Sequence, residues 1–74
     1  MNIMPPYLKT AEVARACDMT TRDVRNMLGR AGLLQLIGNR WLVSSSQLNE
    51  RMPDIHERVL AHILLQKNLA NGGV

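Results

Sequence analysis

The stretch Ala14-Arg-Ala-Cys-Asp-Met-Thr-Thr-Arg-Asp-Val-Arg-Asn-Met-Leu28 decides how the chain is read. It divides into two short amphipathic helices that meet at a tight corner around Asp18 and Met19. Thr20 is a good N-cap for the second helix, because its hydroxyl can accept from a backbone N–H that the helix leaves orphaned. Beyond it, Val24, Met27 and Leu28 fall on one face, and Thr21, Arg22, Arg25 and Asn26 on another. The first face suits a core. The second carries donors of the kind that reach base-pair edges.

The flanks fit this helix pair. Asp18 stands where many two-helix turns use glycine, and Asp tolerates a left-handed backbone better than most residues. Met19 is expected to plug the angle between the helices. Thr10 is the expected N-cap of the first helix, with Glu12 in the first turn where the helix dipole favours an anion. Val13, Ala14 and Cys17 then point inward, and small Ala14 lets the second helix approach closely. Cys17 reads as a small buried hydrophobe. Residues 1–6, with Pro5 and Pro6, are expected to form a flexible tail, and Tyr7 and Leu8 a short extended segment against the core. Gly29 and Gly32 mark the end of the second helix.

From Leu33 to Val43 the period changes. A two-residue Gly38-Asn39 loop pairs Leu36 with Trp41 and Leu34 with Val43 in a short hairpin. That register puts Leu34, Leu36, Trp41 and Val43 on one face, expected to close over the helix pair, and Gln35, Ile37, Arg40 and Leu42 on the other. Ser44 and Gln47 fit a capping box for a short helix that ends before Pro53, and Asp54 and Glu57 fit a second box. The helix this second box opens spans residues 53–70 and carries Ile55, Val59, Leu60, Ile63, Leu64, Leu65 and Leu69, before a flexible tail at 71–74. So broad an apolar surface predicts a shared role. Part covers the core, and Ile55, Val59, Ile63 and Leu64 are candidates for contact with another copy.

Composition limits the alternatives. At 74 residues the chain is expected to be one small domain whose core supplies only a few kcal/mol net. A 46% hydrophobic content argues against intrinsic disorder. No apolar run approaches the roughly 20 residues that cross a bilayer, and the prolines interrupt any leader-like pattern, so no membrane association and a cytoplasmic setting are expected. The lone cysteine fits a reducing compartment. The net charge is +3. All of it lies before Ser44: Lys9, Arg15, Arg22, Arg25, Arg30 and Arg40 oppose Glu12, Asp18 and Asp23, whereas Arg51, Arg58 and Lys67 are matched by Glu50, Asp54 and Glu57. An anionic partner follows, or, as the plainer alternative, a solvated basic surface.

Tyr7-Leu-Lys-Thr-Ala-Glu-Val-Ala14, Met19-Thr-Thr-Arg-Asp-Val24 and Gly38-Asn-Arg-Trp-Leu-Val43, followed by Ser46 to Leu48, resemble the winged helix-turn-helix of MerR-type and phage excisionase-like proteins. The resemblance covers residues 7–52. It departs from the common pattern at Asp18 and in the long last helix. The fold class it implies is mainly α with a small β-hairpin, a winged helix-turn-helix followed by a C-terminal helix. It also implies that the helix from Thr21 enters the major groove and that the Gly38-Asn39 wing lies on the backbone or in the minor groove.

Within that reading Thr21, Arg22, Arg25 and Asn26 are the candidate base readers. Arginine grips guanine through paired acceptors, asparagine suits adenine, and threonine can touch a thymine methyl. Lys9, Arg15, Thr20, Arg30, Asn39 and Arg40 are the candidate backbone or wing contacts, which position without reading sequence. Asp23 is awkward on such a face, since it repels phosphate. The expected partner is double-stranded DNA, bound by a homodimer or higher homo-oligomer that acts as a small phage- or mobile-element-type regulator. An excisionase-like architectural factor, a packaging-type recognition subunit and a protein-interaction module on the same scaffold are the alternatives.

His56 and His62 lack the spacing of paired metal ligands, and Cys17 is remote from both, so no metal site is expected. No phosphate loop, nucleophile motif or carboxylate pair is present; no enzyme, cofactor or small-molecule ligand is expected. Trp41 is expected in the core rather than as a stacking platform.

Overall fold

The computed structural model describes residues 4–72. In chain order the elements are β1 (Tyr7–Lys9), α1 (Thr10–Cys17), α2 (Thr21–Arg30), β2 (Leu34–Ile37), β3 (Arg40–Ser44), α3 (Ser45–Arg51) and α4 (Pro53–Gly72). The fold is mainly helical, with one small antiparallel sheet in the order β1-β3-β2. The expected hairpin is therefore joined by a third strand. Tyr7 and Leu8, expected only as an extended segment, pair with Ser44 and Val43 across β3.

Both helices of the central pair end in the same backbone motif. At the end of α1, Asp18 takes a left-handed conformation at φ 56°, and the N–H groups of Asp18 and Met19 donate to the carbonyls of Arg15 and Ala14. At the end of α2, Gly32 sits at φ 71°, and the N–H groups of Gly32 and Leu33 donate to Gly29 and Leu28. This pair of hydrogen bonds satisfies carbonyls that a helix end otherwise leaves bare. The backbone of α2 begins where expected: the Thr20 hydroxyl accepts from the Asp23 N–H at 3.1 Å.

Three expected caps are corrected. Lys9, not Thr10, is the capping residue of α1, because β1 runs directly into the helix and leaves Lys9 extended. Thr10 becomes the first helical residue and is buried. Ser44 does precede α3, yet its hydroxyl bonds that of Ser46, and the Gln47 side-chain carbonyl accepts from Gln35, so no box closes. The helix α4 begins at Pro53, one residue before Asp54, with the Met52 carbonyl accepting from His56 N–H. Proline suits that first position because its missing N–H belongs to an orphan group. Asp54 then lies in the first turn, where its charge opposes the positive helix end.

The core is a single cluster of Met4, Leu8, Val13, Ala14, Cys17, Val24, Leu28, Leu33, Val43, Leu48 and Val59. One expectation fails here. Met4 is buried, and the Pro6 carbonyl accepts from both the N–H and the hydroxyl of Ser45, so residues 4–6 belong to the fold; the remainder of the expected 1–6 tail lies outside the described residues. The helix α4 packs on α1 and α3, and part of its apolar surface shares the core. The expected 71–74 tail is corrected in part, since α4 runs through Gly72, and its last two residues lie outside the described residues.

Candidate functional site

The helix α2 is fixed by Val24 and Leu28, both fully buried, with Met27 and Ala31 packed beside them. Five of its other residues, Arg22, Asp23, Arg25, Asn26 and Arg30, are solvent-exposed. At 100° per residue, Arg22 and Asn26 lie opposite the buried stripe of Val24 and Leu28, and Arg25 falls beside Arg22 on the flank of that exposed side. The structure thus brings three of the four expected base readers onto one exposed surface. Thr21 differs: it is half-buried and lies at the margin of that surface. Arg30 follows Asn26 by one turn, on the same side as Asp23.

The hydroxyl of Thr20 already accepts a hydrogen bond, so toward an outside phosphate it can act as a donor. Asp23 is held by that same bond through its backbone, which leaves its carboxylate free at the positive end of the helix. That placement accounts for an acidic residue on a basic face by local physics alone.

Two of the remaining cations, Lys9 and Arg40, are not gathered with α2. Arg15 projects from α1, and Lys9 and Arg40 leave the sheet on the face away from the core. The register settles the latter point. Lys9 opposes Leu42, and Arg40 opposes Ile37, whereas the core side carries Leu8, Val43 and Leu34. The turn itself forms as expected, with Gly38 and Asn39 at φ 57° and 66°. Two positive φ values in a two-residue loop match the right-handed twist of the strands. Asn39 and Arg40 are exposed at its tip.

The tip also holds a correction. Leu36 and Trp41 oppose each other on the core side, but they are 58% and 45% exposed. The helix pair supports the hairpin only as far as Leu34, whose Cδ1 lies 3.8 Å from where a Cβ on Gly29 would stand. The strands continue past that support. Alternation assigned the face correctly, but a strand pattern carries no information on how far the underlying element extends.

Of the four residues expected to contact another copy, Val59 is buried in the core and Ile55 and Ile63 pack against it. Leu64 is 38% exposed, and neighbouring Leu65 is 59% exposed. The free apolar surface of α4 among the described side chains is therefore smaller than its sequence suggests; Leu69 lies beyond them. Gly29, given only as an end marker by the sequence, lies within α2 on its exposed side, one turn after Arg25. Burial raises the Cys17 thiol above its ordinary pKa, and the Arg58 charge on α4 pulls it partly back. No group of three or more His, Cys, Asp or Glu side chains able to hold a metal occurs among the described residues. No helix among them is long and apolar enough to cross a membrane.

No family model, curated protein or solved structure matches the chain.

Proposed function

We propose that the chain binds double-stranded DNA by sequence as a winged helix-turn-helix, with α2 in the major groove and the β2–β3 hairpin as the wing. The observation that carries this reading is the exposed surface formed by Arg22, Arg25 and Asn26 on a helix whose opposite side is locked into the core. A reading helix needs that rigidity, since a base contact specifies only when its donors are held in place. The ten-residue α2 is about 15 Å long, a length that crosses the roughly 12 Å major groove. Arg22 and Arg25 read guanine and Asn26 reads adenine, each good contact discriminating by about 1–3 kcal/mol. Arg15, Arg30 and the Thr20 hydroxyl hold phosphate near the helix. Lys9 and Arg40, on the far face of the sheet, reach only backbone that wraps past the hairpin. The biological role this supports is a small regulator of transcription, without catalysis or cofactor.

Selection on random duplexes at two salt concentrations tests the reading. A defined site is expected, with affinity falling steeply as salt rises. Replacing Arg22 and Arg25 together by alanine should remove the sequence preference while leaving the fold intact. Binding that shows no preference, or a preference that survives the double replacement, rejects it. A protein-interaction role is the second reading, favoured by the bare Leu36, Ile37 and Trp41 at the hairpin tip.

A further inference from the structure

The two edges of the sheet are treated very differently. The β1 edge is three residues long, carries Lys9 and is preceded by Pro5 and Pro6. Short length, lysine and proline are the usual protections against pairing with another strand. The β2 edge is Leu34-Gln35-Leu36-Ile37, with no charge, no proline and no bulge in its register with β3. Leu36 and Ile37 on it, and Trp41 beside it, are 58%, 41% and 45% exposed. From Ala31 to Asn49 no carboxylate occurs, and Arg40 is the sole charge.

We infer that the β2 edge is an interface with a second copy of this chain, paired antiparallel about a two-fold axis through Gln35. The inference stands on the sheet edge and does not depend on DNA binding. In a two-residue hairpin the residues flanking the loop form a hydrogen-bonded pair, so Ile37 and Gln35 spend their backbone groups on β3. The N–H and C=O of Leu34 and Leu36 are left on the free edge. Centring two copies on Gln35 sets Leu34 of each opposite Leu36 of the other and closes four backbone hydrogen bonds. Opposed residues then share a face, as a continuous sheet requires. On the core side, Leu36 of one copy lies between its own Trp41 and the other copy's Leu34. No charge faces a like charge across the axis, because Arg40 belongs to β3, one strand further out.

The geometry has a second consequence. A two-fold axis relating antiparallel neighbours in one sheet runs normal to that sheet, so both helix pairs lie on the same side. Each α2, which packs on the core side of β2, is then presented in the same general direction as its mate.

Sedimentation of the full chain from low to high micromolar concentration tests the inference. A monomer–dimer equilibrium is expected, and Leu36→Lys should weaken it about a hundredfold, because each copy loses an apolar contact. Residue 36 is exposed in the single chain, so an unchanged circular dichroism spectrum is expected for that variant. Replacing Leu64 and Leu65 with glutamate should leave the dimer unchanged. The register has its own readout in a Cys17→Ala background. Gln35→Cys should give an intermolecular disulfide on mild oxidation, since paired Cα atoms at a non-hydrogen-bonded position are about 4.5 Å apart. Ile37→Cys should not, with about 14 Å between equivalent atoms. A chain that stays monomeric throughout overturns the inference. So does a dimer that ignores Leu36→Lys, or one lost on changing Leu64 and Leu65. A Leu36→Lys variant that loses DNA binding while the parent is monomeric assigns the tip to DNA, and overturns it as well.

Discussion

Exchanging the residues at the two left-handed helix ends probes the backbone on which the helix pair depends. Asp18 and Gly32 occupy equivalent places in the same capping motif, at φ 56° and 71°. A side chain in that conformation costs roughly 1–2 kcal/mol, with Asp near the lower limit. The Asp18 carboxylate also faces the negative end of α1, which costs about 0.3–1 kcal/mol at low salt. Against these, glycine releases more unfolded-state entropy, about 0.4–1 kcal/mol. Asp18→Gly should therefore stabilise the protein by about 0.5–1.5 kcal/mol. Asp18→Asn keeps the left-handed tolerance and removes the charge, so it should gain only the electrostatic part, and that gain should shrink in high salt. Gly32→Ala should lose about 0.5–1 kcal/mol through the backbone alone, since an added Cβ there meets nothing within 4 Å. Thermal denaturation followed by circular dichroism resolves these changes, as 1 kcal/mol moves the midpoint of so small a domain by about 4–8 °C. A Gly variant at position 18 less stable than the Asn variant would refute the strain argument, as would a tolerated alanine at position 32.

Three further outcomes follow from features of the central helices. Thr20→Ala should cost about 1 kcal/mol in urea denaturation, and Thr20→Ser little, because the bond to the Asp23 N–H survives in serine. Gly29→Ala should raise the thermal midpoint, by about 0.5–1 kcal/mol in stability, since position 29 is helical and its nearest neighbour, at 3.8 Å, makes an ordinary contact. The third concerns pH. Burial holds the Cys17 thiol above its ordinary pKa in the folded state, with Arg58 opposing. Its contribution to stability is thus whole below the unfolded value of about 8.5 and fades as pH climbs toward the folded one. Urea midpoints should fall more between neutral and alkaline pH for the parent than for Cys17→Ala; equal falls in both would contradict this.

The sequence revealed those features that local rules control. The Gly38-Asn39 dipeptide set the loop, and the loop set the register from Leu34 to Val43, because a two-residue turn allows few alternatives. Thr20 and the spacing of Val24 and Leu28 likewise located α2 and its exposed basic face. What escaped were quantities fixed between distant segments. Lys9 displaced Thr10 as a cap because β1 pairs with a strand more than thirty residues away. Val59 passed for a surface contact because the apolar stripe of α4 does not say which of its residues α1 covers. Trp41 has the alternation of a core residue, yet the helices beneath the hairpin stop short of it. The separation of Arg40 and Lys9 from the α2 surface has the same origin, as it depends on which side of the sheet the helices occupy.

The clasp of Pro6 on Ser45 bears on how the chain acquires its structure. The hydroxyl and N–H of Ser45 grip a carbonyl 39 positions earlier, and β1 can form only after β3 exists to receive it. The helix pair and the hairpin, by contrast, close over short loops, which form early because little chain entropy is lost. The amino-terminal segment is thus expected to dock last. Truncating Leu8 to alanine should accelerate unfolding and barely slow refolding, whereas Leu28→Ala should slow refolding. The beginning of the chain is then the closing step of folding, and the first part to release when the protein opens.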